Sequence, residues 1–215
     1  MKFVDGKKKK LRWYNRNFFW IVTIFYIAIN IGIYAIFKGR NVIEVAFSKS
    51  SNFNSIVIEE FLISLGNVYS HVDWEHVLLN MLSISFCLFY LERKIGSVNL
   101  IMLLLGLSFL AALPTVYHHS IGNSNVWFAC FGYVLIDFIF SFRKSNRNIT
   151  NIIIGVIVLV LEFVRCGFYD IIGGGIGWGI VPYQLIYHHS HFLGFIIGVV
   201  VAFTIHITKI QDCKK

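Results

Sequence analysis

The chain has 215 residues, of which 57% are hydrophobic and 14% are charged, with a formal net charge of +8 at pH 7. Soluble domains are about half apolar and about a quarter charged, so this balance excludes an ordinary soluble domain and indicates a multi-pass membrane protein. The positive charge does not indicate a nucleic-acid-binding protein. Seven of the 19 basic residues precede residue 18, in a run typical of a cytoplasmic membrane anchor.

Six apolar stretches are long enough to span or nearly span a bilayer, although the second and fifth are somewhat short. No linker marks a second domain, so we expect one all-α bundle of six transmembrane helices over residues 18–209. A basic cytoplasmic segment, 1–17, precedes it, and a cytoplasmic tail, 210–215, follows it. The predicted helices cover residues 18–37, 76–91, 98–117, 124–142, 149–164 and 191–207.

The distribution of Lys and Arg predicts the orientation of these helices. With both termini in the cytoplasm, 15 of the 19 basic residues lie on the inner side and four on the outer side. That asymmetry follows the positive-inside rule.

Two outer loops have distinctive sequences. The first covers residues 38–75, and its stretch 56–65 is too short and too acidic to span, so we interpret it as an interfacial or half-embedded helix. The last, 165–190, is rich in glycine. It is either mobile, closely packed or simply a connector.

Polar side chains open three of the predicted helices on the outer side: His76 and Asn80 in the second, Ser124 in the fourth and His191 in the sixth. Since a helix rises about 1.5 Å per residue, all four lie within one to two turns of the same surface. Taken singly, each is an ordinary interfacial polar residue or helix cap. Together they predict a functional site, because polar groups in membrane segments are costly.

The residue types indicate a nucleophile with donors around it. Gly122 permits a tight turn before Ser124, and a helix N-terminus presents free N–H groups that can stabilise an oxyanion. His76 and Asn80 are four residues apart, so they share a helix face, and both can donate hydrogen bonds.

Small residues on the sixth predicted helix indicate close helix packing. Gly194 and Gly198 are four apart, and His191 lies three residues before Gly194 on the same side. If the partner of this face is the fourth helix, His191 can reach Ser124. Ordinary small-residue packing explains the glycines in either case.

Three motifs follow one another along the chain: His71, His76 and Asn80, then Gly122, Ser124, Phe128, Ala129 and Gly132, then His191, Gly194 and Gly198. In this order they resemble the rhomboid family of intramembrane serine proteases, over roughly residues 55–205. The segment 91–97 (LERKIGS) also resembles that family. Each motif is weak alone, and the ordered set is specific.

The resemblance implies a Ser124–His191 catalytic dyad without a required third acid, and no cofactor or metal. His76, Asn80 and the backbone N–H of Ser124 would form the oxyanion hole. Phe128 would pack on the catalytic histidine, with His71, Gly122 and the two glycines after His191 in supporting positions. The implied substrates are transmembrane segments of other membrane proteins, cut near the outer surface of the lipid bilayer. The glycine-rich last loop resembles the family's capping loop.

Two features depart from the family. Asn125 follows the serine where rhomboids usually have glycine, and the common Trp-Arg pair of the first outer loop is not visible. These departures bear on rate and substrate fit more than on the fold. The alternative function is that of a catalytically weak or inactive rhomboid-like protein that binds client transmembrane helices.

A histidine-rich metal or haem membrane protein is a second alternative, although no spacing requires a metal. Four further histidines at the same rim are interpreted as surface polar residues, and they leave open a proton-linked or adventitious metal effect: His118, His119, His188 and His189. The small size of the protein fits a location in a bacterial plasma membrane. The sequence does not indicate the oligomeric state.

Two acidic residues in apolar segments are interpreted as structural groups that snorkel or pair. Asp137 lies six residues before Arg143, and Glu162 lies three before Arg165. Among the four cysteines, Cys87 and Cys130 are expected to be ordinary packing residues.

Overall fold

Long apolar runs without interior proline form helices here, because a backbone in lipid must satisfy its own N–H and C=O groups. The computed structural model describes residues 20–37, 56–113, 123–142, 149–172 and 189–212, with side chains for 20–37, 62–113, 123–142, 149–164 and 191–208. These residues form seven α-helices, which confirms the all-α class. They are α1 (Ile21–Phe37), α2 (Ile56–Tyr69), α3 (Trp74–Ile95), α4 (Ser97–Ala112), α5 (Ser124–Phe142), α6 (Ile149–Ile172) and α7 (His189–Asp212).

Three of these helices are long and apolar enough to cross a membrane: α3, α5 and the part of α7 from His191 to Thr208. Shorter apolar helices are α1, α4 and the part of α6 from Ile149 to Val164. The stretch interpreted as interfacial is a helix, α2, four residues longer than predicted.

The predicted start of the last loop at residue 165 is wrong, because α6 continues to Ile172. No proline interrupts residues 165–172, so helical hydrogen bonding continues past the end of the apolar stretch. The remaining glycine-rich part, 173–188, lies outside the described residues.

Helix α5 forms the centre of the bundle. Every residue from Ser124 to Val134 is buried, and α3, α4, α6 and α7 all pack on this helix. The most extensive of these contacts is with α7.

Glycines bring α5 and α7 into backbone contact. A Cβ atom built on Gly194 would lie 2.5 Å from the carbonyl oxygen of Asn125, and one on Gly198 would overlap the carbonyl of Ala129. On the other helix, a Cβ on Gly132 would overlap the carbonyl of Phe195. The glycine face of α7 therefore packs on α5, which is the fourth predicted helix. This packing is the condition under which His191 was expected to reach Ser124.

Glu92 attaches α1 to the rest of the bundle. Its buried carboxylate accepts hydrogen bonds from the N–H groups of Val22 (2.9 Å) and Thr23 (3.0 Å) and from the Thr23 hydroxyl (2.6 Å). Ser97 adds a fourth donor at 2.8 Å. A carboxylate at a helix N-terminus satisfies orphan donors and interacts favourably with the helix dipole. The segment 91–97 thus fixes where α1 begins.

Of the two interpretations of the acidic residues, snorkelling is wrong because both side chains are buried, whereas pairing holds for Asp137. Asp137 is 3% exposed, pairs with Lys94, accepts a bond from the Tyr90 hydroxyl at 2.9 Å and lies 3.0 Å from the His206 Nε2 atom.

Glu162 is fully buried and accepts a hydrogen bond from the Trp127 indole at 2.7 Å and a longer one from the Cys87 thiol at 3.6 Å. A buried acid in an apolar bundle is tolerated when such partners surround it. Cys87 is therefore both a packing residue and a donor, whereas Cys130 is buried in the core.

The variant Gly198→Ala should destabilise the bundle by about 1–3 kcal/mol, because its methyl group would overlap a backbone carbonyl that cannot swing away. Gly106→Ala on α4 is the matched control, since a Cβ there meets nothing within 4 Å. Thermal unfolding of the two variants in detergent measures the difference. Equal midpoints for both variants would contradict the backbone contact between α5 and α7.

Candidate active site

Ser124 and His191 meet where α5 and α7 begin. The Nε2 atom of His191 lies 2.7 Å from the Oγ atom of Ser124, within hydrogen-bonding distance. Ser124 is 7% exposed and His191 is half-buried. In the tautomer that carries its proton on Nδ1, the imidazole accepts the serine hydroxyl hydrogen at Nε2. That arrangement can transfer a proton from a nucleophile to a base.

An aromatic stack orients the imidazole. The ring of Phe128, one turn after Ser124, stacks on His191 with 4.7 Å between centroids and 24° between planes. Trp127 packs on Phe128 with centroids 4.4 Å apart, and its indole is fixed by the hydrogen bond to Glu162. Phe128 is fully buried, so the face of His191 that it covers is closed to water.

The start of α3 holds the next two predicted site residues. Asp73 caps this helix by accepting a hydrogen bond from the backbone N–H of His76 at 2.7 Å. Asn80 follows one turn later and is 4% exposed. Its Nδ2 group has no hydrogen-bond partner among the described residues. A buried donor without a partner is costly and rare, and an incoming acceptor would satisfy it.

His71 lies beside His76, with 5.3 Å between ring centroids. It is fully buried, and neither of its ring nitrogens has a hydrogen-bond partner of normal geometry among the described residues. Burial, and next the neighbouring His76, lower the pKa of His71 from 6.5 to about 4. The ring is therefore neutral at physiological pH.

Asn125 is buried, at 1% exposure, and its backbone carbonyl oxygen faces Gly194 across the interface with α7. The residue that departs from the usual glycine is thus packed inside the bundle, and α5 is helical from Ser124 onward with it in place.

Asp73 and Asn123 are site residues that the sequence analysis missed. Asn123 immediately precedes α5, and its side chain bonds to Tyr26 and Asn30 of α1. An Asp or Asn just before an apolar helix is a recognised start signal, which could have singled out both residues. The hydrogen bonds from Asn123 to α1 could not be predicted in this way, because they join residues almost a hundred positions apart in the sequence.

Other predicted residues lie outside the described part of the chain: Gly122, His118, His119 and His188. His189 opens α7, but its side chain is not described. Among the described side chains, no group of three His, Cys, Asp or Glu residues is arranged to hold a metal ion.

The fold and the site together define a helical protein with membrane-length apolar helices and a serine–histidine pair between two of them. A family model, the Rhomboid domain, matches residues 60–208. Because this match covers more than half of the sequence, the chain belongs to the rhomboid family, whose members are generally intramembrane serine proteases. No curated protein matches the sequence significantly.

Lowering the pH should destabilise the protein through His71. Because its folded pKa is about 4 and its unfolded value is near 6.5, the unfolded chain binds a proton that the native state excludes. The part of the free energy of unfolding that depends on neutral His71 is fully present above pH 6.5. It is lost as the pH falls towards 4, by an amount on the order of 2–3 kcal/mol.

The measurement is the unfolding midpoint of wild type and His71→Gln in detergent at pH 7 and at pH 4.5. The variant should show a smaller drop than wild type. An equal drop in both proteins would mean that His71 is not the group responsible.

Proposed function

We propose that this protein is an intramembrane serine endopeptidase that cleaves transmembrane segments of other membrane proteins. The observation that carries the proposal is the 2.7 Å separation of the Ser124 hydroxyl and the His191 imidazole inside an apolar helix interface. Membership of the rhomboid family supports the same activity. Ser124 is the proposed nucleophile and His191 the proposed general base.

The reaction is acyl transfer in two steps. His191 takes the hydroxyl proton as Ser124 attacks a peptide carbonyl, which gives a tetrahedral oxyanion. His191 then protonates the leaving amine and an acyl-enzyme remains. Water, activated by the same imidazole, hydrolyses that ester. The substrate must unwind locally, because a helical peptide bond is held within its own hydrogen-bond ladder.

Three donors are proposed to stabilise the oxyanion: the backbone N–H of Ser124, the Asn80 amide and His76. The buried Nδ2 group of Asn80, which has no partner among the residues that the structure describes, supports this role, because a preorganised donor needs no reorganisation when charge develops. The position of Ser124 at the first residue of α5 adds the positive end of the helix dipole.

The proposed membrane domain covers residues 18–209 and crosses the bilayer six times, with the segments 1–17 and 210–215 in the cytoplasm. The excess of Lys and Arg on the inner side supports this orientation. α3, α5 and α7 then begin at the outer face, where water reaches the site. A bacterial plasma membrane is the proposed location.

Replacing either member of the pair should abolish reaction with a serine-directed fluorophosphonate probe. Ser124→Ala removes the nucleophile and His191→Ala removes its base, so both should label at background level while wild type labels fully. Ser85→Ala is the matched control, because among the described residues that hydroxyl bonds only to the carbonyl of Leu82 in its own helix.

Probe labelling in detergent, read by gel fluorescence, makes the measurement. Wild type that labels no faster than Ser124→Ala would contradict the protease proposal. It would favour the alternative, an inactive rhomboid-like protein that binds client helices.

Asn80→Ala should lower kcat for a transmembrane substrate by about 10²–10³-fold with little change in KM, as expected when one oxyanion donor is removed. Asn99→Ala is the control, because within the described part of the chain this exposed amide bonds only to the carbonyl of Ile95. Cleavage of a fluorescent substrate in proteoliposomes gives both constants. An Asn80→Ala enzyme with the kcat of wild type would remove Asn80 from the oxyanion hole.

A further inference from the structure

The residue before the proposed nucleophile is attached to α1 by its side chain. The Nδ2 group of Asn123 donates to the Tyr26 hydroxyl at 2.8 Å and to the Oδ1 atom of Asn30 at 2.9 Å. The Tyr26 hydroxyl also lies 3.0 Å from the Oδ1 atom of Asn123. Both ends of one side-chain amide are thus engaged by the same helix.

Two of the three residues in this cluster are fully buried, and Tyr26 is half-buried. Asn30 and Asn123 are both fully buried, and the Nδ2 group of Asn30 donates to the backbone carbonyl of Tyr26 at 2.9 Å. Each amide is held on two sides, so neither can rotate without losing a hydrogen bond. In an apolar bundle such a loss leaves an unpaired polar group, which makes the arrangement specific.

Helix capping alone does not explain the cluster. The backbone carbonyl of Asn123 accepts the first helical hydrogen bond of α5, from the N–H of Trp127 at 3.0 Å. This first helical hydrogen bond of α5 does not involve α1. The contacts to Tyr26 and Asn30 add a different constraint, which is the position of the α5 N-terminus relative to α1.

The helix α1 is itself held in place. Glu92 binds the N–H groups of Val22 and Thr23 at its start, one turn before Tyr26. Hydrogen bonds thus connect Glu92 to the start of α1, and α1 to Asn123, which is the residue directly before Ser124. On its other side, Ser124 meets His191 of α7.

We propose that Tyr26 and Asn30 are positioning residues for Ser124 and act through Asn123. This inference rests on the proposed function. The hydroxyl of Ser124 must face both the imidazole and the substrate carbonyl, and misplacement by about 1 Å can cost on the order of 10²-fold in rate. In this proposal α1 holds Ser124 in place through Asn123, and α7 carries the base, His191.

The test is the rate constant of fluorophosphonate labelling at saturating probe, measured with the full chain in nanodiscs. Tyr26→Phe removes only the hydroxyl and should lower the rate constant about tenfold, since Ser124 is no longer held against His191. Asn30→Leu should do the same. Tyr34→Phe is the matched control on α1, because it removes a phenol hydroxyl from the same helix while keeping the T-shaped ring contact with Trp74. It should label at the wild-type rate.

Two further measurements separate positioning from simple loss of stability. In an Asn123→Ala background, Tyr26→Phe should cause no additional loss of rate, because the route to Ser124 is already cut. Asn30→Asp, whose protonated acid keeps an acceptor and a donor, should recover most of the wild-type rate. A purely structural role would lower the labelled fraction and the unfolding midpoint without changing the rate constant of the labelled molecules.

The outcomes distinguish this inference from the proposed function. If wild type labels faster than Ser124→Ala, and Tyr26→Phe and Asn30→Leu label as fast as wild type, the positioning role is wrong and the peptidase proposal stands. Independent, multiplying effects of Tyr26→Phe and Asn123→Ala also overturn it. If wild type does not label at all, both proposals fall together.

Discussion

Between α5 and α7 the two backbones lie so close that Gly194 and Gly198 leave no room for a Cβ atom. Helices in lipid gain little from burying apolar surface against one another, so close backbone packing must hold them together. The same approach brings His191 to Ser124, because both residues lie in the first turns of the paired helices. The candidate site is therefore a consequence of how this one helix pair packs.

Polar groups in the bundle fall into two sets. Glu92, Asp137 and Glu162 are buried acids, and each has several donors drawn from other helices. These contacts stabilise the relative positions of the helices. His71 and Asn80 differ, because they keep buried nitrogens without a hydrogen-bond partner of normal geometry among the described residues. Unsatisfied donors are expected where a ligand completes the site, whereas structural positions are satisfied in advance.

Much of the architecture could be predicted from local sequence, because apolar length and helical spacing are properties of short segments. The boundaries of α5 were predicted to the residue, and the small-residue face of α7 was recognised from Gly194 and Gly198. The prediction was only partly right for Asp137 and Glu162. Their nearest cations in sequence suggested snorkelling or pairing, whereas in the structure both acids are buried and Asp137 pairs with Lys94, which is 43 positions away.

The sequence by itself determined the class of protein, the helices and the residue types of the candidate site. Composition, periodicity and ordered motifs are properties of the linear sequence and need no knowledge of contacts. Only the tertiary structure decided that α7 packs on α5, that Asn123 bonds to α1 and that the two acids are buried. The physical reason is that these facts depend on contacts between residues far apart in the chain. No local propensity specifies such contacts, because they form only when whole helix surfaces fit together.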